Sequence, residues 1–308
     1  MVGAHRRREM MLRRLTLVTT FLLFASVAGG GAERDASARP VVLVSIPPQA
    51  WLVERLAGDR VSVLELVPPG ASPHAYDPTP RQLAAAAEAA LWFTVGATME
   101  QALQPRLQRM LPDLLVVPTA DEAVGDPACR HDGDGGHVDE DGHEHDPHVW
   151  LDPVMAAEAA ARMAAALGRL DPDGAAVYAE RLGALRRELA DLDGELAATL
   201  APVRGGELLV MHPAFGWLAE RYGLTQTAVE QGGQSPSPRH LATLLERARA
   251  RGVRTLFLQP QTSPDQARAV AREAGLEVGV LDPLARDYAA NLRLMAAAML
   301  AALAPAAP

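Results

Sequence analysis

The chain contains no lysine, a single cysteine and only 4% aromatic residues, and each shortage restricts what the protein can be. All 29 basic residues are arginine and face 38 acidic residues, so the formal net charge is −9. A negative surplus argues against nucleic acid as a partner, because the phosphate backbone is bound through cationic side chains. Cys129 has no second cysteine with which to form an intramolecular disulfide.

Apolar runs long enough to span a bilayer are also missing after residue 32. Residues 1–32 start with a basic stretch, continue as an apolar run from Leu15 to Ala28 and end in small residues, which is the pattern of a cleaved export signal. A membrane anchor is the alternative, but the run is short for a spanning helix. Cleavage after Ala28 or after Ala32 fits equally well. Because no cysteine directly follows the run, we expect a periplasmic or otherwise extracytoplasmic protein without a lipid anchor.

From Pro40 onward, short β-rich runs alternate with helical stretches, first over 40–168 and again over 203–308. Such alternation predicts parallel sheets covered by helices on both faces. Between these stretches, apolar residues recur every three or four positions over 172–201, which predicts one long amphipathic helix. We therefore expect an α/β fold of two parallel-sheet lobes joined by this helix. A packing helix belonging to the first lobe is the alternative.

The predicted strands and helices follow from the same alternation of patterns. The strands are expected at 41–46, 61–66, 91–95, 114–117, 207–212, 225–230, 255–259 and 276–281. The helices are expected at 51–57, 79–90, 99–110, 214–222, 238–250, 263–274 and from Tyr288 onward.

Residues 126–146 differ from the rest, because they are rich in glycine, aspartate and histidine and contain a single valine. Such a segment cannot bury enough apolar surface to order itself, so we predict a mobile loop inserted into the first lobe. Its histidines are expected to be weak, secondary zinc ligands: His131, His137, His143 and His145. Cys129 lies in the same segment and is not assigned to a site.

Three further histidines occupy positions typical of ligands. His74 lies in a proline-bracketed loop after a predicted strand, and His148 lies where the acidic segment returns to apolar sequence. His212 ends a predicted strand, where open parallel sheets place their ligands. Asp282 also follows a predicted strand and is a candidate fourth ligand. Its alternative role is to cap a turn or a helix, as an aspartate before proline often does. We assign that capping role to Asp152.

The stretch HEHDPHVWL separates two kinds of histidine. His148 is followed by the apolar residues 149–151, which can anchor its backbone to the lobe. His143 and His145 have only glycine and acidic neighbours. Because a rigid ligand needs no ordering before it binds, we expect His148 to belong to a tight site and the other two to bind weakly.

These segments resemble the zinc/manganese-binding solute-binding proteins of ATP-driven metal importers. The resemblance rests on PHAYDPTPRQL, HVWLDP, HPAFGWLAERYGL and LDPLA, and on the acidic histidine-rich insertion before the second of them. It implies two lobes bridged by a long helix, with the metal in the cleft between them. His74, His148, His212 and Asp282 align with the ligands of the family. Since Pro73 stands where some zinc-specific members have glutamate, Asp282 is the expected fourth ligand and water is the alternative.

The resemblance also implies a monomeric protein, not an enzyme, that captures zinc and delivers it to the membrane permease of an ABC importer. Three imidazoles and one carboxylate suit zinc in a tetrahedral site, whereas Mn²⁺ prefers more oxygen ligands. A zinc buffer or chaperone that uses no transporter would need the same residues. A secreted zinc hydrolase is less favoured, because no HExxH occurs and Glu144 separates His143 from His145 at the wrong spacing.

Overall fold

The structure is a computed structural model that describes residues 39–120, 146–230, 237–262 and 264–304. Within these ranges, no helix combines the length and the apolar character that crossing a membrane would require. The predicted export signal and most of the predicted acidic loop lie outside the described residues, including Cys129, His131, His137, His143 and His145.

The described residues form two four-stranded sheets. The strands of the first are β1 (Val41–Val44), β2 (Ser62–Glu65), β3 (Ala89–Thr94) and β4 (Leu115–Pro118), and those of the second are β5 (Glu207–Val210), β6 (Thr225–Ala228), β7 (Thr255–Leu258) and β8 (Glu277–Val280). The strand orders are β2-β1-β3-β4 and β6-β5-β7-β8, and every pairing is parallel. The two parallel-sheet lobes predicted from the sequence are confirmed.

Helices connect and cover these strands. They are α1 (Pro47–Ala57), α2 (Pro80–Ala86), α3 (Thr98–Met110), α4 (Pro153–Leu170), α5 (Ala175–Leu200), α6 (Gly216–Arg221), α7 (Pro238–Ala250), α8 (Pro264–Ala274) and α9 (Tyr288–Leu303). Asp152 caps α4, since its Oδ1 accepts hydrogen bonds from the backbone N–H of Val154 at 2.8 Å and of Met155 at 3.4 Å. The capping role predicted for Asp152 is confirmed.

Helix α5 is the long helix predicted at 172–201, and it is flanked by short 3₁₀ turns at Pro172–Gly174 and Ala201–Val203. Its apolar stripe is buried: Tyr178, Leu185, Leu189, Leu192, Leu196 and Leu200. The helix packs against α1 and α4 on the first-sheet side and against α9 on the second-sheet side. It therefore contacts both halves of the protein, as a connecting helix does. The domain boundaries at 40–168, 172–201 and 203–308 stay predictions.

The Ala-rich stretch 79–90 differs from its prediction as one helix. Helix α2 ends at Ala86, and strand β3 starts at Ala89, which pairs with Val41 of β1. The high helix propensity of alanine is outweighed by sheet pairing and by burial of Ala89, which is 2% exposed. The pattern also gives no prediction for α4.

Candidate metal centre

Three histidines that are distant in sequence lie together in the fold. His74 follows β2, His148 directly precedes a 3₁₀ turn at 149–151, and His212 follows β5. Each offers one ring nitrogen, and these nitrogens lie within 4.8 Å of one another. The centroids of the rings are 4.8 to 5.6 Å apart. The structure thus brings together the three histidines that the sequence singled out, in a geometry that a single ion can bridge.

His212 is oriented by a carboxylate. Its Nδ1 lies 3.1 Å from Oε2 of Glu230, which follows β6, the strand next to β5. A carboxylate only accepts hydrogen bonds, so the proton of the neutral ring belongs on Nδ1 and the lone pair on Nε2. This Nε2 lies 3.1 Å from Nε2 of His74. The lone pair of His212 therefore points into the histidine cluster.

His148 has a closer carboxylate partner. Its Nδ1 lies 2.6 Å from Oδ1 of Asp146, and its backbone N–H donates to the same oxygen at 2.9 Å. The two side chains are only 6% and 7% exposed. The bond to Asp146 fixes both the tautomer and the direction of the ring, so Nε2 is again the free ligand atom.

The segment after His148 is fixed by the second half of the chain. Val149, Trp150 and Leu151 are 3%, 4% and 1% exposed, which confirms that they anchor this backbone. The indole N–H of Trp150 donates to the carbonyl of Pro283 at 2.8 Å, and its carbonyl accepts from the hydroxyl of Tyr288 at 2.7 Å. His148 is therefore held in place before any ion binds.

The electrostatics of the cluster favour a cation. Burial, with the nearby His148 and His212 as further causes, lowers the pKa of His74 to about 4, so His74 is neutral at pH 7. The Nε2 atoms of His74 and His212 lie 3.1 Å apart. In a tetrahedral zinc site with bonds of about 2.0–2.1 Å, ligand nitrogens lie about 3.3–3.4 Å apart. His74 and His212 are thus almost at the spacing that zinc requires.

Among the described residues, the cluster of potential metal ligands consists of His74, His148 and His212 and does not include Asp282. Its Oδ1 accepts hydrogen bonds from Nε2 of Gln261 and from the backbone N–H of Leu284, both at 3.0 Å. The bond to Leu284, two residues further on, is the turn-capping role that the sequence offered as the alternative. Its role as a metal ligand stays a prediction.

A small cavity of about 10 Å³ opens beside the three histidines. Its described lining consists of Ser72, Pro73, His74, His148, Trp150, His212, Gln259, Gln261, Pro283 and Leu284. Gln259 and Gln261 follow β7. His212 follows β5, Glu230 follows β6 and Asp282 follows β8, so every strand of the second sheet is followed by a polar residue near this edge. A cavity of this size accepts an ion or a single water molecule.

Four residues that sequence reasoning missed complete the surroundings: Asp146, Glu230, Gln259 and Gln261. Asp146 could have been found from its position two residues before His148. Glu230 and the two glutamines could have been found because they follow strands at the edge that holds His212.

Residues 42–302 match the family model described as zinc-uptake complex component A periplasmic, or ZnuA. The chain belongs to this family. The family predicted from the sequence motifs is confirmed, and a ZnuA crystal structure with 32% identity superposes with a TM-score of 0.78, covering 86% of this chain and 100% of that one.

Two relatives with zinc-related names are similar to this chain over most of its length. The high-affinity zinc uptake system protein ZnuA of Paracoccus denitrificans is 30% identical over 301 residues, which cover 85% of this chain and 89% of the relative. The zinc-binding lipoprotein AdcA of Streptococcus pneumoniae is 27% identical over 287 residues, 89% of this chain and 56% of AdcA. The chain therefore spans little more than half the length of that relative.

Proposed function

We propose that this protein captures zinc outside the cytoplasm and delivers it to the membrane permease of an ABC importer. The observation that carries the proposal is the convergence of His74, His148 and His212, whose nitrogens lie within 4.8 Å of one another. The family description and the name of the Paracoccus relative both refer to zinc uptake, which supports the same function.

The donor set favours zinc over manganese. Three imidazoles are borderline-soft ligands that suit tetrahedral Zn²⁺, whereas Mn²⁺ prefers carboxylate oxygens and a higher coordination number. The carboxylates of Asp146 and Glu230 stand behind His148 and His212, where they offset the charge of the ion without binding it. The carboxylate of Asp282, as the sequence predicts, or a water molecule completes the four-coordinate site.

The same cavity argues against a zinc hydrolase. Sites for organic substrates typically measure about 300–1,000 Å³, and this cavity measures about 10 Å³. Its described lining holds no carboxylate that could act as a general base beside the ion. A protein whose cargo is the ion itself needs neither feature, so we propose that the protein has no enzymatic activity.

Export and assembly complete the proposal. Removal of residues 1–32 would release an extracytoplasmic protein with no lipid anchor, and a net charge of about −13 supports the absence of a nucleic-acid partner. We propose that the mature protein is a monomer. Mass spectrometry of the protein from its native host tests the cleavage and the lipid, and light scattering tests the mass in solution.

Zinc titration of the mature protein against a chelator of known affinity tests the capture function, with elemental analysis of the purified protein as a second measure. We expect one tightly bound zinc at the histidine cluster. Zinc accumulation by a deletion strain, with and without the permease, tests delivery. If the protein were a buffer that uses no transporter, its deletion would lower zinc tolerance and leave permease-dependent uptake unchanged. That result would contradict the proposal.

A further inference from the structure

A second and larger cavity lies at the edge of the second sheet opposite to the histidine cluster. It measures about 270 Å³ and is bounded by the start of β5, the start of β7 with the turn before it, and the end of α9. Strands β5 and β7 are neighbours, yet they pair only over residues 209–210 and 256–257. The start of β5 is therefore not paired with β7, and the cavity lies beside it.

One wall of the cavity carries a guanidinium held by a buried carboxylate. Nη1 of Arg251 donates to Oε2 of Glu207 at 2.9 Å. The other oxygen of Glu207 accepts from the hydroxyl of Thr227 at 2.7 Å, and the Glu207 side chain is only 8% exposed. Both oxygens of Glu207 are thus engaged, whereas its bond to Arg251 uses one of the three guanidinium nitrogens.

A second guanidinium is held at the end of α9. Nη2 of Arg254 donates to the carbonyl of Ala302 at 3.3 Å and also to the carbonyl of Ala304. A cation is favourable at this helix end, because the last carbonyls of a helix carry partial negative charge. These bonds fix Arg254 through one nitrogen, so Nε and Nη1 remain as a pair of parallel donors.

The rest of the lining is partly apolar. Phe257 is 3% exposed and Leu303 is half-buried, and both border the cavity together with Val253. The volume is just below the range of about 300–1,000 Å³ that is typical of sites for small organic molecules. Arg251 and Arg254 against Glu207 leave one surplus positive charge in the lining. A ligand that matches these features has one negative charge and a small apolar part.

We propose that this cavity binds a small organic monocarboxylate. Its carboxylate would accept hydrogen bonds from Arg251 and Arg254, since guanidinium groups bind carboxylates through paired N–H donors. Its apolar part would lie against Phe257 and Leu303. The inference does not depend on the proposed function, because the cavity and the histidine cluster lie at opposite edges of the sheet.

An NMR titration of the mature protein with sodium benzoate tests the site. We expect saturable shifts of the backbone amides of Gly252 and Val253, with a dissociation constant of about 1 mM or lower for a ligand of this size. Arg251→Gln and Arg254→Gln should each weaken benzoate binding at least about tenfold, because each removes a charged donor. Ala302→Phe should abolish binding by filling the cavity.

Arg249 provides the matched control. Its Nε donates to the carbonyl of Ala274 at 3.0 Å and its Nη2 to that of Glu273 at 2.9 Å, so it holds the end of α8 as Arg254 holds the end of α9. Arg249 is absent from the described lining of the cavity. Arg249→Gln should therefore lower the melting temperature to a similar extent as Arg254→Gln and leave benzoate affinity unchanged.

Two further probes test the class of ligand. Benzyl alcohol keeps the ring and lacks the charge, so it should bind at least about tenfold more weakly than benzoate. Inorganic phosphate has the charge and no apolar part, and it should also bind more weakly. Phosphate binding as tight as that of benzoate would refute the monocarboxylate assignment. Absence of saturable shifts up to about 10 mM benzoate, or full affinity in both the Arg251 and Arg254 variants, would overturn the site itself.

Discussion

The indole N–H of Trp217 donates a hydrogen bond to the carbonyl oxygen of Asp146 at 3.0 Å. Trp217 lies on α6 in the second half of the chain, and the side chain of Asp146 orients His148. The first described residue after the gap at 121–145 is therefore tied to the opposite half of the protein. The orientation of His148, a proposed metal ligand, thus depends on Trp217, which lies 71 positions after Asp146.

Trp217→Phe should lower zinc affinity several-fold, because the backbone of Asp146 loses its anchor and the direction of His148 becomes less well defined. Trp92→Phe is the matched control, since the indole of Trp92 donates to Oγ of Ser45 at 3.0 Å in the core of the first half. Both variants should unfold more easily, and only Trp217→Phe should bind zinc less tightly. Equal zinc affinity in the two variants would contradict the anchoring role.

The carboxylates behind the histidines should matter unequally. Asp146→Asn and Glu230→Gln remove an ionic hydrogen bond from a ligand, which typically costs about 10- to 100-fold in metal affinity. Asp146 should be the more important, because its bond to His148 is 2.6 Å long and that of Glu230 to His212 is 3.1 Å. Competition titration with zinc measures both. Asp171→Asn, which disrupts an ion pair with Arg60, is the control and should have no effect.

Alanine at His74, His148 or His212 should each weaken zinc binding about 100-fold or more, because a four-coordinate site loses one of its few ligands. Asp282→Ala should weaken it less. Circular dichroism and the melting temperature of each metal-free variant establish that it folds. A histidine variant that folds and keeps wild-type zinc affinity would remove that residue from the site.

Deletion of residues 131–145 should have the opposite outcome to His148→Ala. The deletion removes four histidines that the sequence predicts to be weak ligands, so fewer zinc ions should bind per protein while one tight site remains. His148→Ala should abolish the tight site and keep the weak ones. Elemental analysis and isothermal titration count both classes. Loss of the tight site in a folded deletion variant would place a true ligand within residues 131–145.

The lowered pKa of His74 predicts acid sensitivity of the metal-free protein. Its folded value of about 4 lies below the ordinary 6.5, so between these pH values the unfolded chain binds a proton that the folded protein does not. The free energy of unfolding should therefore fall as the pH is lowered from about 6.5 to about 4. Urea unfolding at several pH values should show a shallower decline for His74→Gln. Equal slopes would contradict this assignment.

Zinc should raise the melting temperature at pH 7.5, because it binds the folded protein only. The rise should diminish on acidification, since protons compete for the same imidazole lone pairs. A zinc-induced shift as large at pH 5 as at pH 7.5 would contradict a site built mainly from histidine. Thermal scans with and without zinc at each pH measure the effect.

Local patterns were sufficient to predict the three histidines and both sheets, because strand periodicity and strand ends are encoded by neighbouring residues. His212 is predicted from its position at the end of a strand together with the family motif HPAFGWLAERYGL. The partners of the histidines were not found, because the contact of His212 with Glu230 depends on which strands are adjacent. The end of α2 was misplaced for a related reason, since Ala89 joins a strand only through pairing with Val41.

One hydrophobic core joins the two halves, and it includes Val42 and Trp92 from the first sheet, Leu189 from α5, and Val210 and Met295 from the second half. Exposing this shared core in either half would expose side chains of the other. Heat should therefore melt residues 40–308 in a single cooperative transition, with equal calorimetric and van't Hoff enthalpies. The free energy of zinc binding at the histidines then adds to the free energy of unfolding of the whole fold. A thermal scan therefore reports the occupancy of one small site.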